Sequence, residues 1–110
     1  MNAFTIFEGR RTRAGAVVSV NGRPLDLRLD LRFHSPTGFE WGYPGSGPAQ
    51  LALAILAHHL SDDEQALDLY QRFKWTVVTE LPRAGWTLTG CQIDDIIARI
   101  RAEAEQGGAT

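Results

Sequence analysis

Residues 42–60 read GYPGSGPAQLALAILAHHL, and the chain changes its character within this stretch. The first part is rich in glycine and proline, which is typical of an irregular connection. Pro48 suits the first position of a helix, because the N–H that proline lacks would have no partner there. From Ala49 to Leu60 the residues are apolar on nearly every side, which predicts the most buried helix of the fold.

A second helix is expected directly after this one. Ser61 and Glu64 have the spacing of a capping box, which satisfies amide hydrogens at a helix start. The helix is expected to run to about Leu81, where Pro82 stops it. Its apolar stripe consists of Ala66, Tyr70, Phe73 and Val77.

A third helix follows a short extended bridge, Trp86–Leu88. Thr89 and Gln92 repeat the capping spacing at its start. Four isoleucines at helical spacing form its apolar face; they are Ile93, Ile96, Ile97 and Ile100. We expect the chain to fray from about Glu103, so that residues 105–110 form a tail.

On the N-terminal side of the glycine-rich stretch, the pattern is that of strands. Phe4–Glu8 and the β-branched Ala16–Val20 predict the first two strands. Asn21-Gly22 is a strong hairpin signal, since both residues accept a positive φ. A third strand is expected from Arg23, and the proline after it places this strand at an edge or at the strand entry.

Two alternating stretches complete the predicted sheet. Leu25–Phe33 alternates apolar and charged residues, which predicts a half-buried strand with a self-neutralising charged face. Phe39–Tyr43 alternates again, and we expect its three aromatic residues to pack against the Ala49–Leu60 helix. Strands come first and helices afterwards, which predicts the α+β class. The expected architecture is a small N-terminal antiparallel sheet of three to four strands packed by three C-terminal helices.

Length and charge restrict the class of protein. The 110 residues predict one domain, with mainly strands in residues 1–45 and mainly helices in residues 48–104. The net charge is −2, with six bases and four acids in residues 1–48 and five bases and nine acids in residues 49–110. Neither part has the basic excess typical of a domain that binds nucleic acid through its phosphates.

Export and membrane insertion are not expected. The basic residues of the N-terminus follow its apolar stretch, whereas a secretory signal has them before it. The longest apolar run, Leu51–Ala57, is far shorter than the ~20 residues that a membrane span needs. With a single cysteine, Cys91, the sequence predicts a cytoplasmic protein without disulfides and without membrane association.

Residues 34–53, HSPTGFEWGYPGSGPAQLAL, resemble a family of short bacterial and phage proteins of unknown function. Residues 73–75, FKW, and residues 85–89, GWTLT, are similar to later motifs of that family, so the resemblance covers residues 4–100. Its most specific part is GSGPAQLAL, and Pro44 departs from the small residue expected there. The family has no assigned activity or catalytic residues. Its frequent presence in phages and plasmids implies accessory or anti-defence roles.

The first candidate surface is basic. Arg10, Arg11 and Arg13 form the densest basic cluster of the sequence, in or beside the first hairpin turn. Guanidinium groups suit interfaces because they pair bidentately and stack on rings. A solvated turn is the plainer interpretation. Weak nucleic-acid binding through Arg10–Arg13, with the aromatic strand as a stacking platform, is one alternative function.

The second candidate surface is Gly45, Ser46 and Gly47, which precede a helix N-terminus, where amide hydrogens attract anions. The stretch lacks the lysine of a P-loop, the glycine spacing of a dinucleotide fingerprint and the flanking glycines of a nucleophile elbow. A tight connection that lets the helix pack closely is the plainer interpretation. An anion or nucleotide site in Gly42–Pro48 is the other alternative function.

Other reactive residues do not form a complete site in the sequence. His58 and His59 are adjacent on a helix and point about 100° apart, and His34 lies in a distant loop, so no metal site is expected. Cys91 lies near a helix N-terminus but beside two aspartates, and we expect a small buried thiol there. No acid–base pair and no cofactor site can be assigned.

The sequence therefore favours a small non-enzymatic interaction protein of mobile-element type that binds a protein partner. Its most specific forms are an anti-CRISPR-like inhibitor of a host defence system and a regulator. Nucleic acid is a less favoured partner. The identity of the partner and the oligomeric state are left open.

Overall fold

Two hairpins form the first three strands in the computed structural model, which describes the backbone of residues 4–108 and side chains up to residue 105. β1 (Ile6–Thr12) pairs antiparallel with β2 (Gly15–Val20), and β2 pairs with the two-residue strand β3 (Arg23–Pro24). β2 lies where the sequence predicts it. β1 begins and ends later than the predicted Phe4–Glu8, because its pairing with β2 continues to the turn where Thr12 faces Gly15.

The hairpin turn predicted at Asn21-Gly22 is confirmed. The two residues have φ values of 50° and 81°. A two-residue type I′ hairpin turn requires positive φ at both positions. The side-chain oxygen of Asn21 also accepts a hydrogen bond from the N–H of Ile6 at 2.9 Å. As predicted, β3 lies at an edge of the sheet.

The fourth strand comes from the C-terminal part of the chain. β4 (Gly85–Thr89) pairs antiparallel with β1, which gives the strand order β3-β2-β1-β4. The sequence analysis treated Trp86–Leu88 only as an extended bridge between two helices. The α+β class and a four-stranded antiparallel sheet are confirmed, but one of the four strands arises between the second and third helices.

α1 (Ser46–Leu60) is the buried helix that the sequence predicts. It begins earlier than expected, since Gly45 is the N-cap and Pro48 occupies the third helical position instead of the first. The first four N–H groups of a helix have no acceptor within it, so proline is tolerated at the third position as well. Every residue from Gly47 to Ala57 is buried.

α2 (Asp63–Thr76) does not start with the predicted capping box. Ser61 instead ends α1 in a left-handed conformation, with φ 52°, and Asp62 caps α2 by accepting a hydrogen bond from Gln65 N–H at 3.1 Å. α2 ends before the predicted Leu81 and is followed by a 3-10 turn at residues 78–80. Three of its predicted stripe residues are buried, and Val78 replaces Val77 as the fourth.

α3 (Gly90–Gly108) begins with the predicted reciprocal cap. The N–H of Thr89 donates to Gln92 Oε1 at 2.9 Å, and the N–H of Gln92 donates to Thr89 Oγ1 at 3.2 Å. The four isoleucines of its stripe are buried, as predicted. The helix continues past Glu103, where fraying was expected, and residues 109 and 110 lie outside the described residues.

Leu25–Phe33 is not the strand that its alternation predicts. The N–H of Leu25 continues the ladder for one step by donating to Val18 O at 3.1 Å. The chain then turns, because the N–H of Arg28 donates to the Asp26 carboxylate at 2.7 Å and Arg28 adopts φ 54°. Leu25, Leu27 and Leu31 of the alternating set pack on the core, whereas Phe33 is exposed, and residues 26–33 form no ladder.

The expected self-neutralising charged face is formed only in part, because the ion pairs of this segment also reach outside it. The Arg28 guanidinium binds Asp30 within the segment and also Asp63 at the start of α2, with shortest distances of 3.1 and 2.8 Å. These hydrogen bonds raise the pKa of Arg28 well above its ordinary value. Arg28 thus ties the segment to α2.

The predicted strand at residues 39–43 is also absent. Phe39 and Trp41 are buried, whereas Tyr43 is exposed. The chain turns at Gly42, which has φ 86° and whose N–H donates to the 3-10 turn at 3.0 Å. Because of this turn, the three aromatic residues do not share a side.

One hydrophobic cluster joins the helices to one face of the sheet. On that face, the Trp86 ring lies over Gly9 so closely that a Cβ at Gly9 would be 2.3 Å from the ring. Trp86 also meets the ring of the fully buried Trp41 edge-on at 5.6 Å. The other face of β1 exposes Ile6, Glu8 and Arg10.

Candidate functional site

The guanidinium of Arg11 is held by three neighbours. Its Nη1 and Nη2 donate to the Glu40 carboxylate at 3.1 and 3.0 Å, and its Nε donates to the backbone oxygen of Arg83 at 2.7 Å. It also lies 4.6 Å from the centroid of the Trp41 ring. The hydrogen bond from Arg11 is the main reason that the pKa of Glu40 lies below its ordinary value. Arg11 therefore joins β1 to two loops.

The three arginines of the predicted cluster do not share a surface. Adjacent residues of a strand point to opposite faces, so Arg10 is exposed on the open face while Arg11 points to the other. Arg13 is exposed in the turn between β1 and β2. Among the described residues, neither Arg10 nor Arg13 has an ion-pair partner. The sequence cluster thus consists of one bound guanidinium and two separate exposed ones.

Gly45, Ser46 and Gly47 form the start of α1. Gly45 is the N-cap, and its backbone oxygen accepts the first helical hydrogen bond from Ala49 N–H at 3.1 Å. A Cβ on Gly47 would lie 2.7 Å from Cβ of Glu40. Glycine here lets the helix approach the segment that carries Glu40, which is the packing role proposed beside anion binding.

A polar cleft of about 340 Å³ is lined by Ser46 and Gly47 of the second predicted group but by none of the three arginines. One wall is the turn segment 14–16, which directly follows Arg13, and the opposite wall contains Ser46 and Gly47. Glu40 also lines the cleft, and its carboxylate is paired with Arg11. The cleft therefore places a helix N-terminus and a carboxylate side by side.

Gln50 is a fully buried polar residue that the sequence analysis missed. Its Oε1 accepts hydrogen bonds from the N–H groups of His34 and Ser35 at 2.8 and 3.0 Å. Its Nε2 donates to the backbone oxygens of Leu27 and Arg32 at 2.6 and 3.1 Å. Gln50 thus holds the irregular segment on α1 with four hydrogen bonds. The available signal was an amide inside an otherwise apolar helix.

The three histidines lie in different environments. His59 is buried, with Nε2 2.7 Å from Asp94 Oδ1 and with Nδ1 unpartnered among the described residues. His58 is exposed on α1, and His34 Nε2 lies 2.9 Å from the hydroxyl of Tyr70. In the part of the chain that the structure describes, no group of three or more His, Cys, Asp or Glu side chains is placed to hold a metal ion.

Cys91 is exposed, so the prediction of a small buried thiol is wrong. It is the second residue of α3, and the buried stripe of this helix begins two residues later, at Ile93. A residue off the apolar stripe of an amphipathic helix faces solvent.

A family model matches residues 7–99 of the chain, and its description is a family of unknown function, DUF6166. The chain belongs to the DUF6166 family. The match shows an uncharacterised domain and carries no indication of bacterial, phage or mobile-element origin. No curated protein and no solved structure matches the chain. Within the described residues of this DUF6166 chain, no helix combines the length and the apolar character needed to cross a bilayer.

The DUF6166 chain exposes a tryptophan at the end of α2. Trp75 has 57% of its surface exposed, whereas Phe73 is fully buried. Its indole borders a groove of about 340 Å³ between α2 and α3, and Lys74 Nζ lies 4.6 Å from the centroid of its ring. We call this the Trp75 groove; it is lined by Arg72, Trp75, Thr76, Ile100 and Glu103.

Proposed function

We propose that this DUF6166 protein is a non-enzymatic module that binds a protein partner through the Trp75 groove. The observation that supports the proposal is the exposed indole of Trp75 beside a groove lined by the buried Ile100. Tryptophan is among the residues that contribute most to binding when a partner covers them. The exposed part of the indole contacts water in the free protein. Covering it with an apolar side chain of the partner removes it from water, which favours complex formation.

The charges around the Trp75 groove define the partner's chemistry. Arg72 and Lys74 lie on α2 beside the indole, and Glu103 lies on α3. A partner that places an apolar side chain against the indole and a carboxylate near the two bases complements this arrangement. An apolar centre with a charged rim is the usual anatomy of a protein interface.

The surroundings of the reactive groups support binding over catalysis. The His59 ring is buried and faces Asp94, so a substrate has no direct access to it. Glu40 is paired with Arg11. A general base must come within hydrogen-bond distance of the proton that it takes. The proposal therefore assigns no catalytic residue and no cofactor.

The specific form of this function that we propose is inhibition or regulation of a partner by covering its surface, as an anti-CRISPR-like inhibitor of host defence would do. The resemblance to short phage and plasmid proteins supports this form. The exposed indole supports the mechanism. The cytoplasm is the proposed compartment, because an exposed lone thiol such as that of Cys91 persists best under reducing conditions.

Replacement of Trp75 tests the proposal. A partner captured from a lysate of the source cells with tagged wild-type protein is purified, and its Kd is measured by calorimetry. Trp75→Ala is expected to weaken binding at least about 30-fold, as loss of an interface hot spot does. Phe33→Ala is the matched control, because Phe33 is an exposed aromatic residue outside the groove.

Two outcomes contradict the proposal. One is an unchanged Kd for Trp75→Ala, which would place the partner elsewhere. The other is turnover of a substrate by the purified protein, lost on mutation of a polar residue, which would make the protein an enzyme.

Anion or nucleotide binding at residues 42–48 is the second candidate function. The polar cleft favours it, because Ser46 and Gly47 there face the β1–β2 turn. Pro48 removes one amide donor, and the Glu40 carboxylate in the wall opposes an anion. If this candidate is correct, phosphate or a nucleotide raises Tm and Gly45→Val abolishes the rise. No rise with any nucleotide contradicts it.

Nucleic-acid binding through Arg10–Arg13 has weaker support, because Glu40 and Trp41 already engage the Arg11 guanidinium. Only Arg10 and Arg13 are left for phosphates. A mobility shift at low salt that is lost in the Arg10→Ala/Arg13→Ala double variant would support this candidate. Its absence at low salt would contradict it.

A further inference from the structure

A cavity of about 440 Å³ lies between the β2–β3 hairpin, the segment that follows it and α1. It is larger than the polar cleft and the Trp75 groove, and its volume lies within the range of small-molecule sites in proteins. It shares no lining residue with either of them. A ligand bound here would therefore not occupy the proposed protein-binding surface.

The cavity has an apolar floor. Val20, Leu25 and Ala54 are all buried residues that line it, contributed by β2, the irregular segment and α1. Pro24 of the edge strand adds a further apolar wall. A ring or a short aliphatic group placed here would lose its contact with water and gain contacts with four apolar side chains.

The rim of the cavity carries unused hydrogen-bond donors. Arg23 is exposed and makes no ion pair or side-chain hydrogen bond with another described residue. The amide nitrogen of Asn21 is free in the described structure, since only its oxygen is used, by Ile6. The exposed His58 ring lies on the α1 side, where it meets Phe7 edge-on at 5.7 Å.

The carboxylate of Asp26 also lines the cavity. Its Oδ1 accepts the N–H of Arg28, which holds the aspartate at the rim. An anion in the cavity would therefore be attracted by Arg23 and repelled by Asp26. The two residues give opposite effects that a measurement can separate.

Arg28 forms a fixed part of the wall. Its guanidinium is occupied by Asp30 and Asp63, and its backbone adopts φ 54°, an unusual value for a residue with a side chain. Asp30 and Asp63 at the guanidinium and Asp26 at the backbone N–H therefore hold this wall in place before any ligand arrives. A preformed wall reduces the entropic cost of binding.

We propose that this cavity binds a small organic anion, a carboxylate on an apolar body, with the body on the floor of Val20, Leu25 and Ala54 and the carboxylate at Arg23. Asn21 supplies a second donor at the rim. The site acts independently of the Trp75 groove.

Benzoate is the probe for this proposal, with benzamide as the uncharged control and acetate as the control without a ring. Amide shifts are followed in two-dimensional ¹⁵N NMR of the full chain. Benzoate is expected to shift the amides of Asn21, Arg23, Leu25 and Ala54. It is expected to bind roughly ten-fold more tightly than either control, because only benzoate supplies both the ring and the charge.

Three exposed residues provide the variants. Arg23→Gln is expected to weaken benzoate binding roughly ten-fold, as loss of a charge-assisted hydrogen bond does. Asp26→Asn is expected to tighten it, because the variant removes the repulsion. Arg10→Gln makes the same change as Arg23→Gln on the open face of the sheet, and it is expected to have no effect.

The proposal is overturned by equal affinities for benzoate and benzamide, by absence of binding, or by shifts centred on another part of the chain. Weaker binding of benzoate by Asp26→Asn would overturn it too, because the Asp26 carboxylate would then not repel the bound anion. Wild-type melting temperatures for the variants exclude unfolding as the cause. None of these outcomes bears on partner binding at Trp75.

Discussion

The Arg11 guanidinium shows how one residue's neighbours decide its role. It contacts Glu40, Trp41 and the backbone of Arg83, all of them far away in the sequence. Its neighbours Arg10 and Arg13 have no such contacts among the described residues. Three arginines with the same chemistry therefore have different surroundings, and we expect Arg11 to stabilise the fold through its pair with Glu40.

This pair predicts how stability depends on pH. Arg11 lowers the pKa of Glu40 in the folded protein below its ordinary value of 4.5. The carboxylate therefore contributes stability above the unfolded pKa, and this contribution is lost as the pH falls through the folded pKa. Glu40→Gln should lower Tm at neutral pH, and the difference from wild type should shrink on acidification.

Melting curves between about pH 7 and about pH 2 check this dependence. Glu80→Gln is the control, because Glu80 is exposed and has no ion-pair partner among the described residues. A Tm difference for Glu40→Gln that is the same at both ends of the pH range would contradict the prediction.

At the scale of elements, the start of α2 shows which of two neighbouring residues, Ser61 or Asp62, caps the helix. Ser61, Asp62 and Asp63 are consecutive, and the spacing to Glu64 favoured Ser61 as the cap. In the structure Ser61 belongs to the end of α1, and Asp62 caps α2 one residue later, with Gln65 as its partner. The capping chemistry was predicted, but its position was off by one residue, because two helices meet here without a linker.

Two substitutions with opposite expected effects test this boundary. Asp62→Ala removes the cap and should lower Tm by about 5 °C. Ser61→Gly should leave Tm unchanged or raise it, since glycine adopts the left-handed conformation of Ser61 without strain. Thermal unfolding followed by circular dichroism measures both, with Asp68→Ala as an exposed control within α2. If Ser61→Gly were the destabilising variant, Ser61 would be the cap.

In the segment Leu25–Phe33, the alternation of apolar and charged residues wrongly predicted a strand. Its period of two correctly indicates that Leu25 faces the core, and Leu27 and Leu31 pack against it as well. A strand needs a neighbouring backbone in addition. Here the side chain of Gln50 provides the hydrogen bonds instead. The sequence of the segment could not reveal this, because its partner is an amide on a helix.

At the scale of the whole molecule, Gln50 connects the helical layer to the segment that covers it. Gln50→Leu keeps the volume but leaves four partly buried backbone groups without their hydrogen-bond partner. The free energy of unfolding should fall by about 3 kcal/mol or more. Urea unfolding measures this loss, and hydrogen exchange at His34 and Ser35 should accelerate because their amides lose the Oε1 acceptor.

Gln71→Leu is the matched control, since Gln71 is exposed on α2. It should change the free energy of unfolding by less than about 0.5 kcal/mol. Equal stability of Gln50→Leu and wild type would mean that the buried amide does not hold the segment.

The α+β class, the Asn21-Gly22 turn, the central helix and the isoleucine face of α3 follow from the sequence alone. Each rests on local periodicity or turn chemistry, which neighbouring residues specify by themselves. Membership in a family of unknown function was likewise indicated by the resemblance. The single-domain organisation and the binding roles of Arg10–Arg13 and Gly45–Gly47 stay predictions.

Only the tertiary structure decided the rest. It placed Trp86–Leu88 in the sheet, bound Arg11 to Glu40, exposed Cys91 and left Trp75 beside a groove between two helices. The cavity that Arg23 lines likewise exists only in the folded chain, where β2, β3, the irregular segment and α1 meet. Each of these features joins residues that are distant in the sequence. Their contacts depend on how the layers pack, which no local pattern encodes.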